Sequence, residues 1–159
     1  MKKLWFAILM LLSINAFAEI PEGQIATLLN YESTATRPNS NGNENVTSII
    51  NSYMEYTMPT NISVYGGFAF VIGEDFESGV TVGSRYYSAT PIFQSFSGLT
   101  AWSFIGGGLS FLEGTVYYPE AGFRIAISNT SRLDVYMKIL NSSDAKYDNH
   151  VMIGAGLTF

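Results

Sequence analysis

His150 is the only histidine of the chain, and Ser142, Ser143, Asp144 and Asp148 come shortly before it. A serine nucleophile, a histidine base and a carboxylate that orients the histidine can together catalyse acyl transfer. The residue types for such a triad are therefore close in sequence, but their spacing matches no motif that requires one. We predict that the chain is not an enzyme and assign it no catalytic residues.

Cofactor and nucleic-acid chemistry find little support in the sequence. With one histidine and no cysteine, a transition-metal site is not expected. Gly106-Gly107-Gly108 lacks the lysine and the strand-to-helix context of a phosphate-binding loop. The net charge of −5 disfavours nucleic acid as a partner. We expect no metal, no cofactor and no nucleic-acid partner.

Five charged residues stand inside stretches of alternating polarity, on the face opposite the apolar series: Glu55, Arg85, Arg124, Asp134 and Lys138. If these stretches are strands of a closed sheet, the charges point into its interior. Because an unpaired buried charge is costly, we predict that they form a structural polar network in the lumen. The alternative is a catalytic or conducting lining. Four tyrosines are predicted to point inward as well and to leave little room for an aqueous path: Tyr53, Tyr65, Tyr87 and Tyr136.

The C-terminal residues show the clearest strand pattern. Every second residue from Val151 onward is apolar (Val151, Ile153, Ala155, Leu157, Phe159). Ten residues from His150, at about 3.3 Å each, are enough to cross an outer membrane at a tilt. The strand before it alternates over residues 133–140. A polar loop over residues 141–149 separates the two strands, whereas the preceding connection, 128–131, is short.

The same alternation upstream predicts six more strands, at residues 22–32, 46–57, 62–72, 80–87, 102–112 and 116–127. The connections include a polar loop at Ser33–Asn45, an acidic loop at Glu74–Ser78, and a stretch at 89–98 that is either a long connection or the beginning of the fifth strand. The total of eight strands is even, as in bacterial single-chain barrels.

The amino-acid composition distinguishes a membrane β-barrel from a soluble β-sandwich. Charged residues make up 13% of the chain and aromatic residues 14%, yet after the first eighteen residues no apolar run is long enough for a membrane helix. A soluble β-sandwich would carry many more charged residues on its solvent face. We therefore predict an eight-stranded, antiparallel, up-and-down transmembrane β-barrel.

The first eighteen residues predict a secretory signal peptide. Lys2 and Lys3 precede an apolar run at Leu4–Leu12, and Ala16-Phe17-Ala18 forms a small-x-small cleavage pattern. We predict export through the Sec pathway, cleavage after Ala18, and one barrel domain over residues 19–159.

The chain resembles the small Gram-negative outer-membrane proteins of the OmpA-type transmembrane domain and the OmpX/Ail-like group. The resemblance rests on the alternating C-terminal strand, on Gly83-Ser84-Arg85-Tyr86-Tyr87 and on Glu120-Ala121-Gly122-Phe123-Arg124. It implies that the last strand is the insertion signal recognised by the barrel assembly machinery, after delivery by periplasmic chaperones. The signal residues are Val151, Ile153, Ala155, Leu157 and Phe159.

We therefore expect a monomeric outer-membrane protein of the cell envelope with a structural or surface-interaction role. Its loops, chiefly Ser33–Asn45 and Asn141–Asn149, would contact lipopolysaccharide or external partners. One alternative is a small porin-like channel with a polar lumen. A second alternative is a lipid-modifying enzyme that uses His150.

Overall fold

A computed structural model describes residues 23–36, 48–73, 76–95 and 99–159. These residues form nine antiparallel strands, and none of them belongs to a helix long and apolar enough to cross a membrane. The predicted signal peptide, residues 1–18, and most of the predicted loop Ser33–Asn45 lie outside the described residues. The strands are β1 (Ile25–Thr36), β2 (Ser48–Thr57), β3 (Ile62–Ile72), β4 (Phe76–Tyr87), β5 (Phe93–Gln94), β6 (Thr100–Phe111), β7 (Thr115–Ala126), β8 (Arg132–Ser142) and β9 (His150–Thr158).

Eight of these strands close into a barrel. Each long strand pairs with the next one along the chain, β4 pairs with β6, and β1 also pairs with β9. The closure continues to the last residue, because the backbone N–H groups of Thr27 and Phe159 donate to each other's carbonyl oxygens at 3.1 and 3.0 Å. The predicted eight-stranded up-and-down barrel is confirmed; β5 is a two-residue strand beside the start of β6.

Two boundaries differ from the prediction in ways that matter for the interior. The acidic loop predicted at Glu74–Ser78 is shorter, because β4 already begins at Phe76. Glu77 is consequently a buried strand residue instead of a loop residue. At the other end of the chain, β8 continues to Ser142, so the last loop comprises residues 143–149.

The two ends of the barrel carry different connections. One end, called here the termini end, holds Gly23, Phe159 and the connections at residues 58–61, 88–99 and 127–131. The opposite end, called here the loop end, holds the connections that follow β1, β3, β6 and β8. The connection at 88–99 is the longest at the termini end and contains β5.

Alternation along each strand separates an apolar outer wall from a polar interior. Large apolar side chains of every long strand are exposed on the outside, among them Leu29, Met54, Phe68, Val82, Ile105, Phe123, Met137 and Ile153. Their neighbours in sequence face the interior and are buried or half-buried. This is the two-fold periodicity of a pleated strand with one face turned inward.

Inward-facing glycines make room for the large inward-facing rings. A Cβ on Gly154 would lie 2.5 Å from Cζ of Tyr136, and one on Gly83 would lie 2.4 Å from Cζ of Tyr65. A Cβ on Gly108, in the Gly106–Gly108 run, would lie 2.6 Å from the hydroxyl oxygen of Tyr118. The glycine run of β6 therefore serves close packing inside the barrel, which is one of the roles of glycine within strands.

Candidate functional site

The centre of the lumen is occupied by Arg85, whose guanidinium binds two carboxylates. Its Nε and Nη2 donate to the two oxygens of Glu120 at 2.8 and 3.1 Å, and its Nη1 donates to Asp134 Oδ2 at 2.9 Å. The ring of Phe104 lies against the guanidinium, 4.5 Å from Cζ to the ring centroid. The Arg85 charge is thus balanced on its edges by carboxylates and covered on a face by an aromatic ring.

Arg124 forms a second centre beside the first. Its Nε and Nη2 each donate to Asp134 at 2.7 Å, so that Asp134 Oδ2 bridges the two arginines. Its Nη1 donates to Glu55 Oε2, also at 2.7 Å. The other oxygen of Glu55 accepts from the hydroxyls of Ser63 and Tyr87, at 2.6 and 2.8 Å.

A further ion pair, separate from the two arginine centres, lies closer to the loop end. Lys138 Nζ lies 2.5 Å from Glu32 Oε2, and the hydroxyl of Tyr136 donates to Glu32 Oε1 at 2.6 Å. The ammonium of Lys138 is also 4.4 Å from the ring centroid of Tyr118. The Tyr65 hydroxyl links this region to the centre, because it lies 3.0 Å from the Tyr118 hydroxyl and donates to Glu120 at 2.9 Å.

The structure places all five sequence-predicted lumen residues inside the barrel, and it joins Glu55, Arg85, Arg124 and Asp134 in one network while Lys138 pairs with Glu32. Glu55, Arg85, Arg124, Asp134 and Lys138 are each no more than 2% exposed. Sequence reasoning missed four further buried charged residues that face the interior: Glu32, Glu77, Glu120 and Arg132. The alternation could have found Glu120, which precedes Gly122 and Arg124 on the same face of β7. Among the described residues the interior holds five acidic side chains and four basic ones, and the fifth carboxylate, Glu77, is paired with Lys146 of the last loop.

The loop end of the lumen is capped by the connection between β8 and β9. Tyr147 of this loop is fully buried among apolar residues of the inner wall, including Ile49, Val71, Leu140 and Met152. Its hydroxyl donates to Glu77 on β4, and the ammonium of Lys146 contacts the same carboxylate. Burial, together with the hydrogen bond to Glu77, raises the pKa of the Tyr147 phenol above its ordinary value.

The residues that could have formed a catalytic triad are not assembled into one. His150 is buried, and its Nδ1 lies 3.0 Å from the backbone carbonyl oxygen of Asp148. The Ser142 hydroxyl donates to the carbonyl of Thr115, while the Asp148 carboxylate accepts from the Ser142 backbone N–H. Across the described part of the chain, no group of three or more histidine or acidic side chains has an arrangement that could hold a metal ion.

The predicted insertion-signal residues share one face of the last strand. Val151, Ile153, Ala155, Leu157 and Phe159 alternate with buried neighbours, and all five lie on the outer side of the barrel. Their role in assembly stays a prediction.

Comparison with known proteins identifies the fold. No protein-family model matches the chain, and no curated protein matches it either. Among solved structures, the N-terminal β-barrel domain of Pseudomonas aeruginosa OprF is similar over 87% of this chain and 97% of that domain, with a TM-score of 0.59 and 8% sequence identity. The fold is that of an OmpA-type β-barrel. The Yersinia pestis outer membrane protein Ail also matches, over 87% of this chain and 100% of that one, with a TM-score of 0.47 and 16% identity.

Within the OmpA-type barrel fold, what distinguishes a protein chemically is what fills its lumen and what it displays at its two ends. Here the lumen is crossed by ion pairs between distant strands and capped by Tyr147. Every carboxylate of the lumen named above binds a cation or accepts hydrogen bonds.

Proposed function

We propose that this chain is a small, non-conducting outer-membrane β-barrel with a structural or surface-interaction role, and that it is not an enzyme. The observation that carries the proposal is the combination of an apolar outer wall with a lumen filled by paired charges and aromatic rings. A lipid-facing wall requires the first feature, and a barrel without a pore requires the second.

The outer wall is suited to lipid rather than to water. Large apolar side chains are exposed along all eight barrel strands, and an apolar surface that extends around a whole barrel exceeds by far what a soluble monomer leaves exposed. The closed sheet pairs its backbone N–H and C=O groups between neighbouring strands, which is the condition for β-structure in hydrocarbon.

The ion pairs inside the lumen disfavour the porin-like alternative. Arg124 and Glu55 come from strands on opposite sides of the barrel, so their ion pair crosses the lumen. Arg85 on β4 binds Asp134 on β8, with two barrel strands between them, and Tyr147 covers the loop end above both pairs. An ion entering from either end would have to displace paired, buried charges, which costs several kcal/mol per charge, on the order of the penalty for breaking a buried ion pair.

The barrel ends are where external partners can be contacted. At the loop end, Glu113, Asp144 and Asp148 are partly or fully exposed, whereas Lys146 is held by Glu77. The remaining basic residues of the described part lie in the lumen: Arg85, Arg124, Arg132 and Lys138. We infer that contact with the phosphates of lipopolysaccharide would use bridging divalent cations, because the described loop-end side chains offer carboxylates.

The last strand, β9, is the element proposed to direct membrane insertion. We infer delivery by periplasmic chaperones and insertion by the barrel assembly machinery, with the outer face of β9 as the recognised element. A monomer suffices for this role, since the barrel closes on itself within one chain.

The test uses the full chain expressed in a Gram-negative host. We expect the protein in the outer-membrane fraction, with faster gel migration before boiling than after it. Purified and placed in planar bilayers, it should give no ion conductance, whereas a general porin in the same bilayers provides the positive control. Recovery as a soluble protein would overturn the membrane assignment, and steady single-channel currents would favour the porin-like alternative.

A further inference from the structure

Four exposed apolar side chains are grouped at the termini end, beyond the barrel wall. Ile92, Phe93 and Leu99 belong to the connection between β4 and β6, and Ile127 begins the neighbouring connection between β7 and β8. Each of the four is between 41% and 54% exposed. This group is called here the apolar tab.

The tab is an extension of the barrel sheet. The last residue of β4, Tyr87, pairs with Phe104, so the first residues of β6 continue past the end of β4. Beyond the end of β4, β5 pairs with these first residues of β6, with Phe93 opposite Ala101 and Gln94 opposite Thr100. The tab is therefore a strand-paired structure that projects from the rim on the side of β6 and β7.

The registers show which way Phe93 points. Phe93 is directly opposite Ala101, Ala101 is opposite Ile125, and Ile125 is opposite Leu133. Directly paired residues of antiparallel strands project from the same face. Because Leu133 and Ile125 belong to the outward row of the barrel, Phe93 continues the outer apolar wall instead of turning toward the lumen.

The connections around the tab carry no charged side chain, and Arg132, which follows the 127–131 connection, is buried. Residues 88–99 contain no charged residue, and neither do the other two connections at this end, 58–61 and 127–131. The loop end, in contrast, displays the carboxylates of Glu113, Asp144 and Asp148. An uncharged apolar surface that continues a lipid-facing wall offers nothing for recognition of a charged partner, but it suits the boundary between lipid headgroups and acyl chains.

We propose that the apolar tab lies in the phospholipid interface of the leaflet at the termini end, with the Phe93 ring against the acyl chains. The tab would then hold the barrel at a defined depth and tilt, as interfacial aromatic residues do. This inference rests on the proposed membrane function and adds a lipid contact outside the barrel wall.

The experiment places single tryptophans in the full chain. Trp102 is replaced by phenylalanine, and three variants of this background receive one tryptophan each: Phe93→Trp in the tab, Phe68→Trp on the outer wall of β3, and Thr130→Trp in the exposed polar turn at the termini end. The proteins, processed or with Trp5 also replaced by phenylalanine, are inserted into phosphatidylcholine vesicles. Gel migration before boiling confirms that each variant is folded.

Quenching by doxyl-labelled lipids and by iodide then reports the position of each tryptophan. We expect Phe93→Trp to emit at shorter wavelength than Thr130→Trp, to be quenched most by a doxyl group near the headgroup, and to resist iodide. Phe68→Trp should be quenched by doxyl groups deeper in the acyl chains.

The outcomes separate the two proposals. If Phe68→Trp is quenched by lipid but Phe93→Trp is quenched only by iodide, the tab inference fails and the membrane barrel stands. If neither tryptophan is quenched by lipid, the proposed function itself fails. If Phe93→Trp resists iodide in native envelopes but not in pure lipid vesicles, a protein partner covers the tab and the lipid inference is overturned.

Discussion

The guanidinium of Arg124 and the carboxylate of Glu55 meet across the barrel, 2.7 Å apart, although the two residues are 69 positions apart in the chain. Their strands, β7 and β2, are separated by three barrel strands in either direction. The pair therefore ties opposite walls together through the lumen, and with Asp134 it holds the second arginine, Arg85, in the same network.

Replacing Glu55 with glutamine should destabilise the barrel by about 3 kcal/mol, because Arg124 would keep its buried charge and lose one of its two carboxylate partners. The measurement is urea-induced unfolding in lipid vesicles. Tyr56→Phe, an outward-facing neighbour, is the control and should have little effect. The double variant Glu55→Gln with Arg124→Met should lose less unfolding free energy than the two single variants lose together. Strict additivity would show that the pair does not couple the two walls.

Gly154→Ala should cost about 1–3 kcal/mol, because the added methyl group would enter the space of the Tyr136 ring. Gly66→Ala is the matched control, since the nearest atoms to its added methyl group are 3.5 and 3.6 Å away, at ordinary contact distance. In a Tyr136→Leu background the Gly154→Ala cost should shrink. Equal costs for Gly154→Ala in both backgrounds would contradict the packing argument.

Stability should fall in alkaline solution through Tyr147. Its pKa is raised above the ordinary 10.0 in the folded barrel, so at higher pH the unfolded chain releases the phenolic proton first. Above the ordinary pKa, the free energy of unfolding should therefore fall by up to about 1.4 kcal/mol for each pH unit.

Tyr147→Phe isolates this contribution. At neutral pH the variant should be less stable than the wild type by about 1–2 kcal/mol, because the hydrogen bond to Glu77 is lost. Since phenylalanine does not ionise, the stability gap should narrow as the pH rises from about 9 to about 11. A gap that stays constant across this range would show that Tyr147 titrates normally in the folded barrel.

Deletion of Phe159 should reduce the amount of inserted barrel, because it removes both the aromatic end of the predicted insertion signal and the backbone hydrogen bonds to Thr27. The readout is the fraction that migrates in the folded position on unboiled gels of outer membranes. Phe159→Ala keeps the backbone hydrogen bonds and tests the side chain alone. Normal insertion of the alanine variant together with failure of the deletion would assign the effect to barrel closure and not to the aromatic signal.

Sequence alternation alone determined the eight barrel strands and their two faces, although not where β4 begins or β8 ends. This is possible because the side-chain period of a strand is local: Asn51, Tyr53 and Glu55 must share a face whatever surrounds them. The same argument placed Arg85, Arg124, Asp134 and Lys138 inside a closed sheet. It applies equally to Glu120, which lies two positions before Gly122 on the same face of β7.

Only the tertiary structure decided which of these groups meet. Glu55 binds Arg124 and not its sequence neighbours, because the closure and register of the sheet bring β2 opposite β7. The position of Glu77 depended on where β4 begins, and the cap formed by Tyr147 depended on a loop that folds over the lumen to reach that carboxylate. Pairings of this kind join residues far apart in the chain. The local periodicity that revealed the strands contains no information about them.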